Sequence, residues 1–229
     1  MTAIDARQTV ALLPVKAFTL AKGRLAPVLT AAERAGLAEA MLRDVIAAVT
    51  SSGALDGVYL LGGGDAQRLA ASLGLRWLDD VASPDLNVAL DRAAATLAGQ
   101  QVRTLLVLPG DLPTVQSRDI TALLACDAGG LTVSAARSDG GTNALVVSPP
   151  DALAFRFGPH SARRHLAHAL TAGLPAQDVA LAAFARDIDG PADLRWLCGQ
   201  ACGDNTANLL AANDIEKRLG DSGQTALQA

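Results

Sequence analysis

The 229-residue chain has few of the features that mark membrane, secreted or nucleic-acid-binding proteins. It contains no apolar run of about 20 residues, the length that a membrane span needs. Residues 1–8 lack the positively charged and apolar segments of a signal peptide. Three cysteines are too few for a disulfide framework, and a net charge of −4 argues against binding to nucleic acid. We therefore expect a cytoplasmic protein that binds neither membrane nor nucleic acid.

Aromatic residues are also scarce, at 3%, although half of the chain is hydrophobic, so the core must be aliphatic. Up to residue 126, short apolar runs alternate with segments of helical periodicity, which predicts a parallel sheet with right-handed crossovers. After Gly129 and Gly130 two strands, 131–136 and 143–148, follow each other through a polar link. This pattern favours an α/β fold with a mixed sheet.

One carboxylate follows the most apolar of the predicted strands. Residues 104–108 have the composition of a strand buried on both faces, and Pro109 and Pro113 then enclose Asp111. In open α/β sheets, ligands bind at the carboxyl edge of the strands. Asp111 is therefore a candidate site residue, although an aspartate that only opens a turn would fit the same pattern.

A basic loop follows the first predicted strand, residues 10–15. It carries Lys16, Lys22 and Arg24, and three cations at this edge of a sheet favour a binding site for a triphosphate. The loop has neither the GxxxxGK[ST] pattern of a P-loop nor the GxGxxG pattern of a dinucleotide site. An ordinary solvated basic loop is the alternative.

A pair of carboxylates lies near the end of the predicted α/β region. If residues 187–189 are extended, Asp187 and Asp189 lie on one face and Ile188 on the other. Two carboxylates on one face repel each other unless a cation lies between them, and hard cations choose oxygen ligands. With Asp111 and the basic loop, they predict a Mg²⁺ site for nucleotidyl transfer, in which an oxyanion attacks the α-phosphorus of a nucleoside triphosphate.

Several local predictions concern helices. A capping box at Thr30 and Glu33 predicts a long helix that ends near residue 53. Asn87 is either a helix N-cap or a side-chain amide that contacts a base or a phosphate, and Ser161 is a candidate N-cap at an anion-binding helix start. We expect one domain at 1–200 and a helical extension at 201–229. The extension would have an amphipathic helix near 209–219 and a frayed tail at 221–229.

Five segments together resemble one enzyme family, the CofC/FbiD guanylyltransferases of coenzyme F420 biosynthesis, which belong to the MobA-like nucleotidyltransferases. They occur in the family's order between residues 10 and 197. The segments are PVKAFTLAKGRL at 14–25, PGDLP at 109–113, GTNAL at 141–145, FGPHS at 157–161 with His165, and DIDGP at 187–191.

The resemblance implies a Rossmann-like, three-layer α/β/α nucleotidyltransferase fold with a mostly parallel mixed sheet. It also implies transfer of GMP from GTP to the phosphate of 2-phospho-L-lactate, phosphoenolpyruvate or 3-phospho-D-glycerate, with Mg²⁺ as the cofactor. Carried over to this chain, the family's metal ligands are Asp111, Asp187 and Asp189. The implied nucleotide-binding residues are Lys16, Lys22, Arg24 and Asn87, of which Lys22 and Arg24, with Asp111, would be catalytic. The implied acceptor-binding residues are Thr142, Gly158 and Ser161.

The chain departs from the family pattern at Asp85, where a glycine is expected, and at His160, which replaces the second glycine of FGPGS. An extra donor at His160 would suit a more polar acceptor such as phosphoglycerate. Another MobA-like transferase and a non-catalytic nucleotide-binding module are the alternative functions. The sequence is compatible with a homodimer.

Overall fold

The computed structural model describes residues 8–80, 83 and 85–225, and for residues 221–225 it describes the backbone alone. The expectations for residues 1–7 and for residues 226–229 lie outside the described part of the chain, as do residues 81, 82 and 84.

The strands form one mixed sheet. They are β1 (Gln8–Val15), β2 (Gly57–Gly62), β3 (Arg76–Leu78), β4 (Val102–Val107), β5 (Leu131–Ala135), β6 (Thr142–Val147) and β7 (Ala176–Asp178). Their order is β3-β2-β1-β4-β6-β5-β7, and among these described strands only the β4–β6 and β5–β6 pairs are antiparallel. The predicted mostly parallel mixed sheet is confirmed. The three-residue β7 was not predicted, because Ala-Gln-Asp carries no strand pattern.

Helices cover both faces of the sheet, as the three-layer prediction requires. They are α1 (Ala31–Ser51), α2 (Gly64–Leu73), α3 (Leu86–Gly99), α4 (Ser117–Ala125), α5 (Ser161–Thr171), α6 (Pro191–Cys198), α7 (Asp204–Ala212) and α8 (Ile215–Thr225). Buried residues of α1, α2 and α4 pack on one face. Those of α3 and α5 pack on the other.

The long helix α1 begins as predicted. The Thr30 hydroxyl accepts a hydrogen bond from the Glu33 amide at 3.2 Å, and the Glu33 carboxylate accepts one from the Thr30 amide at 2.7 Å. Both bonds of the capping box are present, so two amides that a helix start leaves unpaired are satisfied.

Two other N-caps differ from the sequence predictions. Asp85, not Asn87, caps α3, and its carboxylate accepts from the Asn87 amide at 2.7 Å. The departure at position 85 thus supplies a helix cap. His160, not Ser161, is the N-cap of α5, with left-handed backbone angles (φ 57°), and Ser161 is the first helical residue.

The single C-terminal helix predicted near 209–219 is wrong. The chain forms α7 and α8 instead, separated at Asn213 and Asp214, and Asp214 has a φ of +48° that ends the helix. The buried Asp44 of α1 accepts hydrogen bonds from the Asn205 and Thr206 amides at 3.0 and 2.8 Å, which ties the start of α7 to α1. The division into domain and extension at residue 200 stays a prediction.

Among the described residues, no helix has the length and apolar composition that a membrane crossing requires. The cytoplasmic location expected from the sequence stays a prediction.

Candidate active site

The predicted polar segments meet at the carboxyl edge of β1 and β4. The basic loop leaves β1 after Val15, and the segment that carries Asp111 leaves β4. The reversed strand β6 begins at this same edge, and its Leu145 pairs with Val107 near the end of β4. Thr142 and Asn143 therefore lie beyond the end of β4. One antiparallel strand thus brings residues 142 and 143 to the edge from which Asp111 projects.

Three carboxylates converge at this edge. One oxygen from each of Asp111, Asp187 and Asp189 lies within 4.8 Å of the others. Ile188, between the last two, is fully buried and donates its backbone amide to the Asp111 carbonyl at 3.1 Å. The buried Ile188 side chain anchors the segment, so both flanking carboxylates face the site. This is the arrangement that the extended 187–189 segment predicted.

The donor set fits a divalent cation. Asp111 Oδ1 is buried and has no hydrogen-bond partner, which is costly for a carboxylate oxygen unless another group pairs with it. Burial, followed by the charge of Asp111, raises the pKa of Asp187 above its ordinary value. A hard cation such as Mg²⁺ or Mn²⁺ would neutralise the negative charge of these crowded carboxylates and pair with the free oxygen of Asp111.

Lys22 lies inside this acidic cluster. Its Nζ donates to Asp111 Oδ2 at 2.6 Å and to Asp189 Oδ1 at 2.9 Å, and its side chain is only 8% exposed. Burial by itself lowers the pKa of Lys22, but the two carboxylates outweigh it and raise the pKa above its ordinary value. Lys22 is therefore charged at neutral pH and neutralises part of the cluster.

The rest of the basic loop lines a cavity of about 410 Å³ beside the acidic cluster. Lys16 is exposed at its wall, and the largely exposed Arg24 lies 3.6 Å from Asp189 Oδ2. The amide of Phe18 donates to Asp65 Oδ2 at 2.9 Å, which ties the loop to the start of α2. Three cations, a cavity and an acidic cluster are thus contiguous, as a nucleotide with its phosphates and metal would need.

Two hydroxyls and a histidine form a second polar cluster. Thr142 Oγ1 lies 2.8 Å from Ser161 Oγ and 3.1 Å from Nδ1 of His165, and all three residues are buried. Gly158, exposed and at φ +129°, lies in the loop that leads to α5, and its carbonyl oxygen accepts from the Ser161 amide at 3.0 Å. The structure therefore brings together Thr142, Gly158 and Ser161, the residues that the family resemblance assigns to the acceptor.

Asn87 contacts this loop through its side chain. Its Oδ1 accepts from the Phe157 amide at 2.6 Å and its Nδ2 lies 3.4 Å from the Phe157 carbonyl oxygen. One turn later on α3, Asp91 accepts from the Phe155 amide at 2.8 Å. These bonds give Asn87 a structural role that the sequence did not indicate. Its contact with a nucleotide stays a prediction.

Asn143 supports the acidic cluster, a role that the sequence patterns did not indicate. Its side-chain amide donates to the Phe184 carbonyl at 2.9 Å and lies 3.4 Å from Asp187 Oδ1. The neighbouring Thr142 belongs to the hydroxyl cluster, so the start of β6 connects the two clusters. The GTNAL match contained this signal, because a buried amide beside an apolar strand needs a partner.

The sheet order, with helices on both faces, defines the fold of the nucleotide-diphospho-sugar transferases. A solved nucleotide-diphospho-sugar transferase from Desulfovibrio desulfuricans has the same fold, with a TM-score of 0.75 and 18% identity over 92% of this chain and 97% of that one. A glucosyl-3-phosphoglycerate synthase from Mycobacterium tuberculosis, solved with Mn²⁺ and UDP, aligns with a TM-score of 0.51 and 15% identity over 77% of this chain and 70% of that one.

Sequence comparison identifies the family. The model described as "Guanylyl transferase CofC like" matches residues 9–224, so the chain belongs to the CofC-like guanylyltransferases. A phosphoenolpyruvate guanylyltransferase of Roseiflexus sp. is 38% identical over 91% of this chain and 92% of its own length. A 3-phospho-D-glycerate guanylyltransferase of Phenylobacterium zucineum is 35% identical over 91% and 97%. A 2-phospho-L-lactate guanylyltransferase of Methanothermobacter thermautotrophicus is 37% identical over 73% and 74%.

Proposed function

We propose that this enzyme transfers GMP from GTP to the phosphate of a small phosphorylated carboxylate and releases pyrophosphate, as a step of coenzyme F420 biosynthesis. The candidate acceptors are 2-phospho-L-lactate, phosphoenolpyruvate and 3-phospho-D-glycerate, which appear in the names of the related enzymes. The observation that carries the proposal is the Lys22 ammonium between Asp111 and Asp189, beside a cavity lined by two further cations.

The chain's own residues would act mainly through charge and position. An oxygen of the acceptor phosphate attacks the α-phosphorus of GTP, the bond to the β-phosphate oxygen breaks, and pyrophosphate leaves. The acceptor phosphate is already ionised at neutral pH, so the step needs no dedicated general base. Lys16, Lys22 and Arg24 would hold the phosphates and stabilise the negative charge that develops on the leaving group.

The three aspartates Asp111, Asp187 and Asp189 would hold Mg²⁺. The ion would supply Lewis-acid stabilisation of the phosphate oxygens. The unpaired Asp111 Oδ1 and the raised pKa of Asp187 support this assignment.

The acceptor would bind at the hydroxyl cluster of Thr142 and Ser161 with Gly158. Hydroxyl groups at the start of α5 suit an anion, since the helix start carries a partial positive charge. Both clusters meet at the start of β6, so the acceptor phosphate and the nucleotide phosphates would share one edge of the sheet.

Pyrophosphate release from GTP and Mg²⁺ tests the proposal, with each of the three acceptors supplied separately. We expect release with at least one acceptor, and Asp111→Asn should abolish it. A purified, folded chain that binds GTP but releases no pyrophosphate with any acceptor would favour the non-catalytic module instead.

A further inference from the structure

His165 is a buried histidine that the proposed chemistry does not use. It lies on the second turn of α5 and is 2% exposed. Its Nδ1 faces Thr142 Oγ1 at 3.1 Å, and its Nε2 lies 2.9 Å from the backbone nitrogen of Arg156. The ring therefore connects the hydroxyl cluster to the loop that carries Gly158.

The contact with the backbone determines the tautomer of the ring. A peptide N–H can only donate, so Nε2 must be the unprotonated, accepting nitrogen. Burial, helped by the charge of Arg164, lowers the pKa of His165 to about 4, so the ring is neutral at pH 7. A neutral ring that accepts at Nε2 carries its proton on Nδ1, which must then donate to Thr142 Oγ1.

A count of hydroxyl hydrogens follows from this tautomer. Thr142 and Ser161 share one hydrogen bond of 2.8 Å, which uses one of their two hydrogens. Thr142 Oγ1 already accepts from His165, so the ring takes neither hydrogen. One hydroxyl hydrogen of the pair is therefore left to donate elsewhere.

Exposure indicates which hydroxyl keeps this hydrogen. Ser161 is fully buried, whereas Thr142 is 6% exposed. A fully buried hydroxyl hydrogen without an acceptor is unfavourable, so Ser161 should donate to Thr142. Thr142 then accepts two hydrogen bonds, from His165 and Ser161, and its own hydrogen is directed away from both.

We infer that His165 is a positioning residue for the acceptor: as the Nδ1–H tautomer, it orients the Thr142 and Ser161 hydroxyls so that Thr142 donates to an anionic group of the acceptor. The inference rests on the proposed function, because it names the ligand of the same site. If the ring accepted from Thr142 instead, the Thr142 hydrogen would be used inside the protein.

Two substitutions separate the two contacts of the ring. His165→Asn places an amide near the position of Nδ1, so it keeps a donor for Thr142 and loses the acceptor for the Arg156 amide. His165→Gln places its amide near the position of Nε2, so it keeps that acceptor and loses the donor. The partly exposed His168, on the same helix, provides the control His168→Gln.

We expect His165→Gln to raise the KM of the acceptor by about tenfold or more, the effect of losing one hydrogen bond to a charged group, with little change in the KM of GTP. His165→Asn should retain most of the acceptor affinity, and the control should match the wild-type enzyme. Equal effects of both substitutions, or parallel losses in kcat and thermal stability without a change in acceptor KM, would show a purely structural role and overturn the inference.

A measurement independent of turnover is the ¹⁵N–¹H NMR spectrum of the histidine rings in the wild-type chain, with the His165 signals assigned by the Asn variant. Protonated Nδ1 and unprotonated Nε2 are expected, and protonated Nε2 would overturn the inference even in an active enzyme. If no acceptor yields pyrophosphate, the proposed function fails, while the spectrum still decides how the ring is hydrogen-bonded.

Discussion

Replacing Lys22 with methionine should change metal binding and catalysis in opposite directions. The substitution keeps an unbranched chain of similar length and removes the ammonium that donates to Asp111 and Asp189. A divalent ion that binds these carboxylates must compete with that ammonium. Without Lys22, the ion has no such competitor, and the cluster has one positive charge fewer.

The size of both effects follows from the contacts. Each hydrogen bond to a charged group contributes roughly 1.5–3 kcal/mol, so removing even one competing bond should tighten metal binding by about tenfold or more. The same change removes a cation from the phosphates in the transition state. Loss of one such donor typically lowers kcat by about 10²–10³-fold.

Mn²⁺ binding followed by electron paramagnetic resonance, and initial rates of pyrophosphate release, measure the two effects separately. Lys217→Met is the matched control, because it makes the same substitution on α8, outside the acidic cluster. Metal affinity that is unchanged or weaker in Lys22→Met would refute the view that Lys22 and the metal share the same carboxylates.

Four further predictions concern stability and are checked by chemical or thermal unfolding. Asp44→Ala should lower the free energy of unfolding by about 2 kcal/mol, because it leaves the buried Thr206 amide at the start of α7 unpaired and removes the bond to the Asn205 amide. Gly62→Ala should cost about 3 kcal/mol or more, because its Cβ would lie 2.3 Å from the Val15 carbonyl oxygen. His160→Gly should raise stability by about 1 kcal/mol by removing a side chain at φ +57°, and it should also change acceptor preference if His160 contacts the acceptor. As the pH falls from 6.5 towards 4, the free energy of unfolding should fall by up to about 1.4 kcal/mol per pH unit. The reason is that His165 takes up a proton in the unfolded chain, whereas the folded ring, with its pKa of about 4, does not. The His165→Asn variant should lose this part of the pH dependence.

The main elements of the fold could be predicted because their signals are local. The capping box of α1 and the run of apolar or β-branched residues at 104–108, which includes the end of β4, each lie within a dozen residues of sequence. The elements that were missed or misplaced depend on distant contacts. The short strand β7 pairs with β5, and the break between α7 and α8 accompanies packing of both helices against the α1 side of the domain.

The candidate site shows the same division. The sequence alone indicated the chemical types: three aspartates, three cations and a hydroxyl-bearing loop, since carboxylate and ammonium chemistry belongs to the residues themselves. Only the tertiary structure decided which atoms of these groups contact each other. The reversal of β6 brings Thr142 to the edge that carries Asp111, and Lys22 lies between carboxylates 89 and 167 positions away in the chain. Such pairings depend on strand order and side-chain burial, which a linear pattern does not encode.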